Sequence, residues 1–147
     1  MTRGEIVEEA RTWIGTKWVH QACLKQVATD CVGLIRGVYE HCTGAAVTVT
    51  IDYPATWHLF KAEERLYSEV QNYLEEISIE EARPGDVLLF GFGKGPAHHA
   101  GIMAMPDTFI HAWADVGKVA ETRLDEFWRK NIRSAFRYPG VEDPWQR

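Results

Sequence analysis

Residues 83–113 read RPGDVLLFGFGKGPAHHAGIMAMPDTFIHAW. Before Arg83 the apolar residues recur at helical spacing. After the Pro84-Gly85 turn they come in short runs, from Val87 to Phe90, from Ala100 to Met105 and from Phe109 to Trp113, punctuated by Gly, Pro and Asp. Two more such runs follow, from Lys118 to Thr122 and from Ile132 to Tyr138. The links between them are too short to hold crossover helices, so neighbouring strands must run antiparallel. Helices first and strands second predict an α+β fold in which N-terminal helices pack on a C-terminal antiparallel β-sheet.

Upstream, Thr2 can cap a helix carrying Ile6, Val7, Ala10, Trp13 and Ile14, with Gly15 as its stop. A polar loop runs from Gly15 to Thr29. The second helix begins at Thr29-Asp30, whose side chains can accept orphan amide hydrogens, and continues through Leu34, Ile35, Val38, Tyr39 and Cys42 to Gly44. Gly33 and Gly37 fall four apart on it, which predicts a close approach to a sheet. An alternating stretch from Val47 to Ile51, a turn from Asp52 to Pro54, and a third helix opening at Thr56 with Leu59, Phe60, Leu66, Val70 and Tyr73 come next. Ser78 and Glu81 have the spacing of a short capping box before Arg83.

The chain has 147 residues, 46% of them hydrophobic and 25% charged, which predicts one domain over residues 1–147 and excludes collagenous, coiled-coil and largely disordered classes. No apolar run is long enough for a membrane span, and the first residues lack the apolar segment of a signal peptide. The expectation is a chain made in the cytosol. Its net charge of −5 makes a nucleic-acid partner unexpected. Eight acids against Arg65 and Arg83 crowd the stretch from Glu63 to Asp86, so an anionic ligand belongs elsewhere.

Three cysteines, Cys23, Cys31 and Cys42, cannot all pair. Cys31 falls in the first turn of the second helix, where the helix dipole and unsatisfied amides favour thiolate. Cys42 lies near the opposite end of that helix, and Cys23 in the loop has no evident partner. His99 and His111 flank the turn at Met105-Pro106-Asp107. In a hairpin with an odd-length loop, odd positions pair with odd, so both imidazoles share one face and can touch. A thiol, an imidazole that takes its proton and a second polar group that orients the imidazole form the nucleophile, base and orienter set of thiol hydrolases. His98 points to the other face.

A zinc site is the competing reading, but the chain has no Cys-x-x-Cys and no His-Glu-x-x-His, and the adjacent His98 and His99 diverge. The spacing therefore argues against a metal site. Gly91-Phe92-Gly93-Lys94-Gly95 lacks the ending of a phosphate loop and is read as a turn. Arg129, Lys130, Arg133 and Arg137 are read as a solvated face.

Four motifs in order carry a resemblance: Asp30-Cys31-Val32-Gly33-Leu34, Pro84-Gly85-Asp86-Val87-Leu88, His99-Ala100-Gly101-Ile102 and Ile110-His111-Ala112. With them the chain resembles the NlpC-type family of cell-wall cysteine peptidases from about Ile6 to Pro139. Residues 15–22 and 34–37 resemble its phage-type branch, found in tail modules and gene transfer agents. The resemblance implies a papain-like fold in which Cys31 is the nucleophile, His99 the general base and His111 the third polar residue. It implies cleavage of peptide bonds in peptidoglycan stem peptides, commonly between γ-D-glutamate and a diamino acid, without a cofactor. Trp18, His20, Gln21 and Asp30 are the expected substrate-binding residues, with Gln21 a possible second oxyanion donor.

Val32 stands where the family often has Ser, and Trp18 where it often has Tyr, which bears on substrate preference. The resemblance further implies phage-like tail proteins as partners and a tail-borne route to the cell wall. A structural tail-tip component, or an amidase or acyltransferase using the same three residues, are the alternatives.

Overall fold

The structure is a computed structural model that describes residues 1–47 and 65–142. Helix α1, Arg3–Arg11, opens with a complete capping box: the Thr2 hydroxyl accepts from the Glu5 amide, and the Glu5 carboxylate accepts from the Thr2 amide. It ends before Trp13 and Ile14, because the chain turns at Thr12 and the Gly15 amide reaches across to the Val119 carbonyl. Trp13 is nonetheless buried, and its indole N–H donates to the Glu9 carboxylate.

The predicted polar loop contains three two-residue strands, β1 (Lys17–Trp18), β2 (Cys23–Leu24) and β3 (Ala28–Thr29). Helix α2, Cys31–Thr43, starts at the Asp30 cap and stops at Gly44, which adopts the left-handed conformation. Helix α3, Arg65–Gln71, carries Leu66 and Val70 into the core. The sequence-predicted stretch after Val47, the turn at Asp52 and the helix start at Thr56 lie outside the described residues. The Ser78–Glu81 pair does not cap a helix: the Ser78 hydroxyl donates to the Glu81 carboxylate beside a single 3-10 turn, Ile79–Glu81.

The remaining strands are β4 (Glu75–Ile77), β5 (Val87–Phe90), β6 (His99–Met105), β7 (Thr108–Trp113), β8 (Lys118–Arg123) and β9 (Ile132–Arg137). A five-residue helix α4, Glu126–Lys130, capped by the Asp125 carboxylate, precedes β9. The sheet order is β2-β3-β1-β8-β7-β6-β5-β9-β4. Every pairing is antiparallel except β1 with β3, so the sheet is mixed at one end only. This is the α+β architecture, with N-terminal helices on a largely antiparallel sheet, that the sequence predicts.

Both faces of the central strands are covered, which is why Val87 to Phe90 is a continuous apolar run rather than an alternating one. One face, with Val87, Leu89, Ala100, Ile102 and Ile110, packs with Ile6, Ala10, Leu34 and Val38 of α1 and α2. The other, with Leu88, Phe90, Met103 and Phe109, packs with Leu124 and Trp128. Asp86, fully buried at the entry to β5, is held by Arg3 and by a fork from Arg137, whose Nε and Nη2 each donate to one carboxylate oxygen at 3.1 Å. Arg137 therefore does not belong to the solvated face expected of it: a buried carboxylate needs a charged partner, and β9 supplies it.

Candidate active site

The start of α2 is fixed from two sides. One Asp30 carboxylate oxygen accepts from the Gly33 amide at 2.8 Å, and the other accepts from the Gln21 amide at 2.7 Å. The same buried side chain thus caps the helix and pins the preceding loop to it. Gly33 permits the approach: a Cβ there would lie 2.1 Å from the Ala22 carbonyl oxygen. A Cβ on Gly37 would lie 2.2 Å from the Trp13 ring. The helix lies close against the sheet as predicted, and the two glycines admit the loop with Thr29 of β3 on one side and the Trp13 ring that follows α1 on the other. Cys23, without an evident partner in the sequence, donates its thiol to the Gly33 carbonyl at 3.1 Å and ties the same loop down.

Cys31, the first residue of α2, is 8% exposed. Its sulfur meets the backbone amides of Ala100, Val32 and Cys31 itself, which favour negative charge. Burial, with the Asp30 charge beside it, outweighs them and pushes the thiol pKa up. Burial thus works towards the neutral thiol, against the thiolate favoured by the helix dipole. Removal from water costs a charge more than three amides return.

The hairpin of β6 and β7 pairs Ile102 with Ile110 and Met103 with Phe109, the odd-with-odd register predicted. His99 and His111 project from the same face, and His99 Nε2 lies 2.8 Å from His111 Nδ1. Gly101 makes this possible, since a Cβ there would lie 2.7 Å from the Phe109 ring and 3.2 Å from the His111 Cβ. His111 Nε2 in turn lies 2.8 Å from Thr122 Oγ1 on β8. Aromatic rings enclose the pair: Trp113 is 4.5 Å from His99, Phe109 is 4.2 Å from His111 and Trp128 is 5.2 Å from His111, between ring centroids.

Burial lowers His111 to about 4. Burial first, then His111 and His98, push His99 well down as well. Both imidazoles are neutral near pH 7. No hydrogen bond joins the Cys31 sulfur directly to His99; the thiol is placed against the next residue, through the Ala100 amide. With His99 Nε2 occupied by His111, Nδ1 is the nitrogen left to exchange a proton with the thiol. A neutral thiol and a neutral base are the ground state for general-base attack.

Residues 15–137 match the family model described as the NlpC/P60 family. The chain belongs to the NlpC/P60 family. Among solved structures it is similar to an NLP/P60 protein of Staphylococcus aureus (23% identity, TM-score 0.64, 96% of this chain and 42% of that one). It is also similar to NlpC2 of Trichomonas vaginalis (21% identity, TM-score 0.67, 93% and 46%). A third is the NlpC/p60 domain of the peptidoglycan hydrolase SagA (24% identity, TM-score 0.64, 92% and 98%). The chain spans under half the length of the first two and nearly all of the third. No curated protein matches the sequence.

On this NlpC/P60 fold the remaining sequence-predicted residues are distributed unevenly. Trp18 lies on β1, half-buried against the core, with its backbone paired to β3 and its amide donating to Gly117. His20 is half-buried and Gln21 exposed, the latter with a left-handed backbone at φ 62°. The Gln21–Asp30 hydrogen bond carries this segment to the start of α2. Asp30 is 3% exposed and its two carboxylate oxygens hold backbone amides, so it positions the loop and Cys31. His98 packs its ring on Phe92, off the His99–His111 pair. Among the described residues, no group of three or more His, Cys, Asp or Glu could hold a metal ion, and no helix is long and apolar enough to cross a membrane.

Sequence reasoning missed Thr122 and the ring enclosure. Asp125 three residues before Trp128 was an available capping signal for α4, whereas nothing local marks Thr122: its role depends on the strand register.

Proposed function

We propose that this NlpC/P60 chain is a cysteine peptidase acting on peptidoglycan stem peptides, at the bond between γ-D-glutamate and a diamino acid, with Cys31, His99 and His111 as its reacting set. In this proposal residues 1–147 act as one catalytic domain. The observation that carries it is the buried 2.8 Å His99–His111 hydrogen bond on the strand whose Ala100 amide faces the Cys31 sulfur at a helix start.

In the proposed reaction the Cys31 sulfur attacks the amide carbonyl carbon as His99 Nδ1 takes the thiol proton. The C–S bond forms and the carbonyl oxygen becomes an oxyanion, held by the Cys31 amide and by the side-chain amide of Gln21. The C–N bond breaks as His99 returns the proton to the departing amine, leaving a thioester. Water then gives a proton to His99 and adds to the thioester carbon. The C–S bond breaks, the acid is released and the sulfur regains its proton. His111 holds His99 in place and stabilises its transient charge, while the aromatic enclosure keeps water from competing for their hydrogen bond. Trp18 and His20 are proposed to wall the substrate cleft beside Gln21.

The similarity of residues 15–22 and 34–37 to the phage-type branch supports a tail-associated protein delivered to the cell wall, with tail proteins as partners. The test is mass spectrometry of purified peptidoglycan fragments incubated with the wild type and with Cys31→Ala, a chelator being present. New stem-peptide products from the wild type alone support the proposal and identify the bond. Uncut fragments in both samples overturn it in favour of a structural tail component, and release of whole stem peptides from the sugar in favour of an amidase.

A further inference from the structure

We infer that Thr122 is a positioning residue of the site, its hydroxyl acting as the acceptor that sets the tautomers of both histidines and leaves His99 Nδ1 free to take a proton. The inference rests on the peptidase reading for its consequence, and on geometry for its content. Three groups form one line: His99 Nε2 to His111 Nδ1 at 2.8 Å, then His111 Nε2 to Thr122 Oγ1 at 2.8 Å. Each neutral imidazole carries one N–H and one bare nitrogen, so the direction of the last bond dictates the others.

If the hydroxyl accepts, His111 carries its proton on Nε2, and its bare Nδ1 accepts from His99 Nε2–H. His99 Nδ1 is then bare, the form that can receive the thiol proton. If the hydroxyl donates, His111 carries its proton on Nδ1 and gives it to a bare His99 Nε2. His99 Nδ1 then holds a proton and cannot act as the base.

A hydroxyl can act either way, and the surroundings favour acceptance. Both imidazoles are buried, His99 4% and His111 1% exposed, whereas Thr122 is half-buried on β8 and can turn its own proton outward. Glu121, the neighbouring carboxylate, points to the opposite face, where it pairs with Arg11 and accepts from Thr108, so solvent is the acceptor for the Thr122 proton. A buried Nε2–H without an acceptor is costly, so removing the hydroxyl removes the preference for the productive tautomer.

Thr122→Val keeps the shape and strand preference of the side chain but removes its hydroxyl; Thr122→Ser keeps the hydroxyl. Nitrogen-15 NMR of the imidazoles reads the tautomers without reference to any substrate. The expected result is Nε2–H for both His99 and His111 in the wild type and in Thr122→Ser, with a shift towards Nδ1–H in Thr122→Val. On a stem-peptide substrate, Thr122→Val should lower kcat about tenfold or more with KM little changed, and Thr122→Ser should recover it.

Unchanged tautomers in a folded Thr122→Val protein overturn the inference whatever the activity. So does an Nδ1–H tautomer in the wild type. A wild type that cuts nothing while its tautomers respond to Thr122→Val overturns the peptidase reading and leaves the assignment of Thr122 standing.

Discussion

Acidification should destabilise this protein through its histidine pair, by an amount the structure bounds. His111 falls from 6.5 to about 4 on burial, so between those values the unfolded chain binds a proton that the folded one refuses. Stability contributed by the neutral ring is complete above 6.5 and is lost as pH falls towards 4. The whole passage corresponds to about 3 kcal/mol, of which about 2 kcal/mol is already lost at pH 5. His99 is shifted in the same direction and adds to the loss.

Urea unfolding at pH 7 and pH 5 measures it. With a slope near 2 kcal/mol per molar, expected for a chain of this size, the midpoint should drop by about 1 M or more. His111→Asn removes the titrating ring while leaving a polar group towards His99. It should start less stable at pH 7, because the Thr122 bond is lost, yet lose about 2 kcal/mol less than the wild type on acidification. Equal losses in the two proteins would refute the burial argument.

Three further outcomes are expected. Asp30→Ala should cost about 1–2 kcal/mol through loss of the α2 cap and of the Gln21 bond, measured by thermal unfolding, and should reduce kcat as well; an unchanged melting temperature would contradict the capping role. Gly101→Ala should cost about 1–3 kcal/mol by pressing on Phe109 and His111, and histidine NMR should show the His99–His111 contact disturbed; unaltered histidine signals would contradict the close-approach argument. Alkylation of Cys31 by iodoacetamide, followed by peptide mapping, should be slow near pH 7 and rise into the alkaline range beyond an exposed thiol, because burial and Asp30 push its pKa up. A fast rate that is flat below pH 7 would establish a thiolate–imidazolium pair instead.

The five main strands were legible because each is a short apolar run between strong turn residues, and the hairpin register followed from parity alone. Cys31 at a helix start was equally legible, since Asp30 is a good cap and Gly44 a good stop. What escaped detection depends on contacts between distant segments. The fork from Arg137 to Asp86 joins residues 51 apart, and Thr122 meets His111 only after β7 and β8 pair. The upward push on the Cys31 thiol was hidden for a related reason: a helix dipole is local and readable, whereas burial is decided by the sheet that packs over the helix start. Gly33 and Gly37 signalled a close approach correctly, but the sequence did not say that the approaching groups would be Ala22 and Trp13.

The most direct test of Cys31 as nucleophile is intact-protein mass spectrometry of the enzyme mixed with a stem peptide and quenched in acid within one turnover. A thioester carrying the acyl portion of the substrate, mapped to Cys31 and absent from Cys31→Ala, is the predicted result. Turnover that proceeds with no adduct, and that survives Cys31→Ala, would contradict the account.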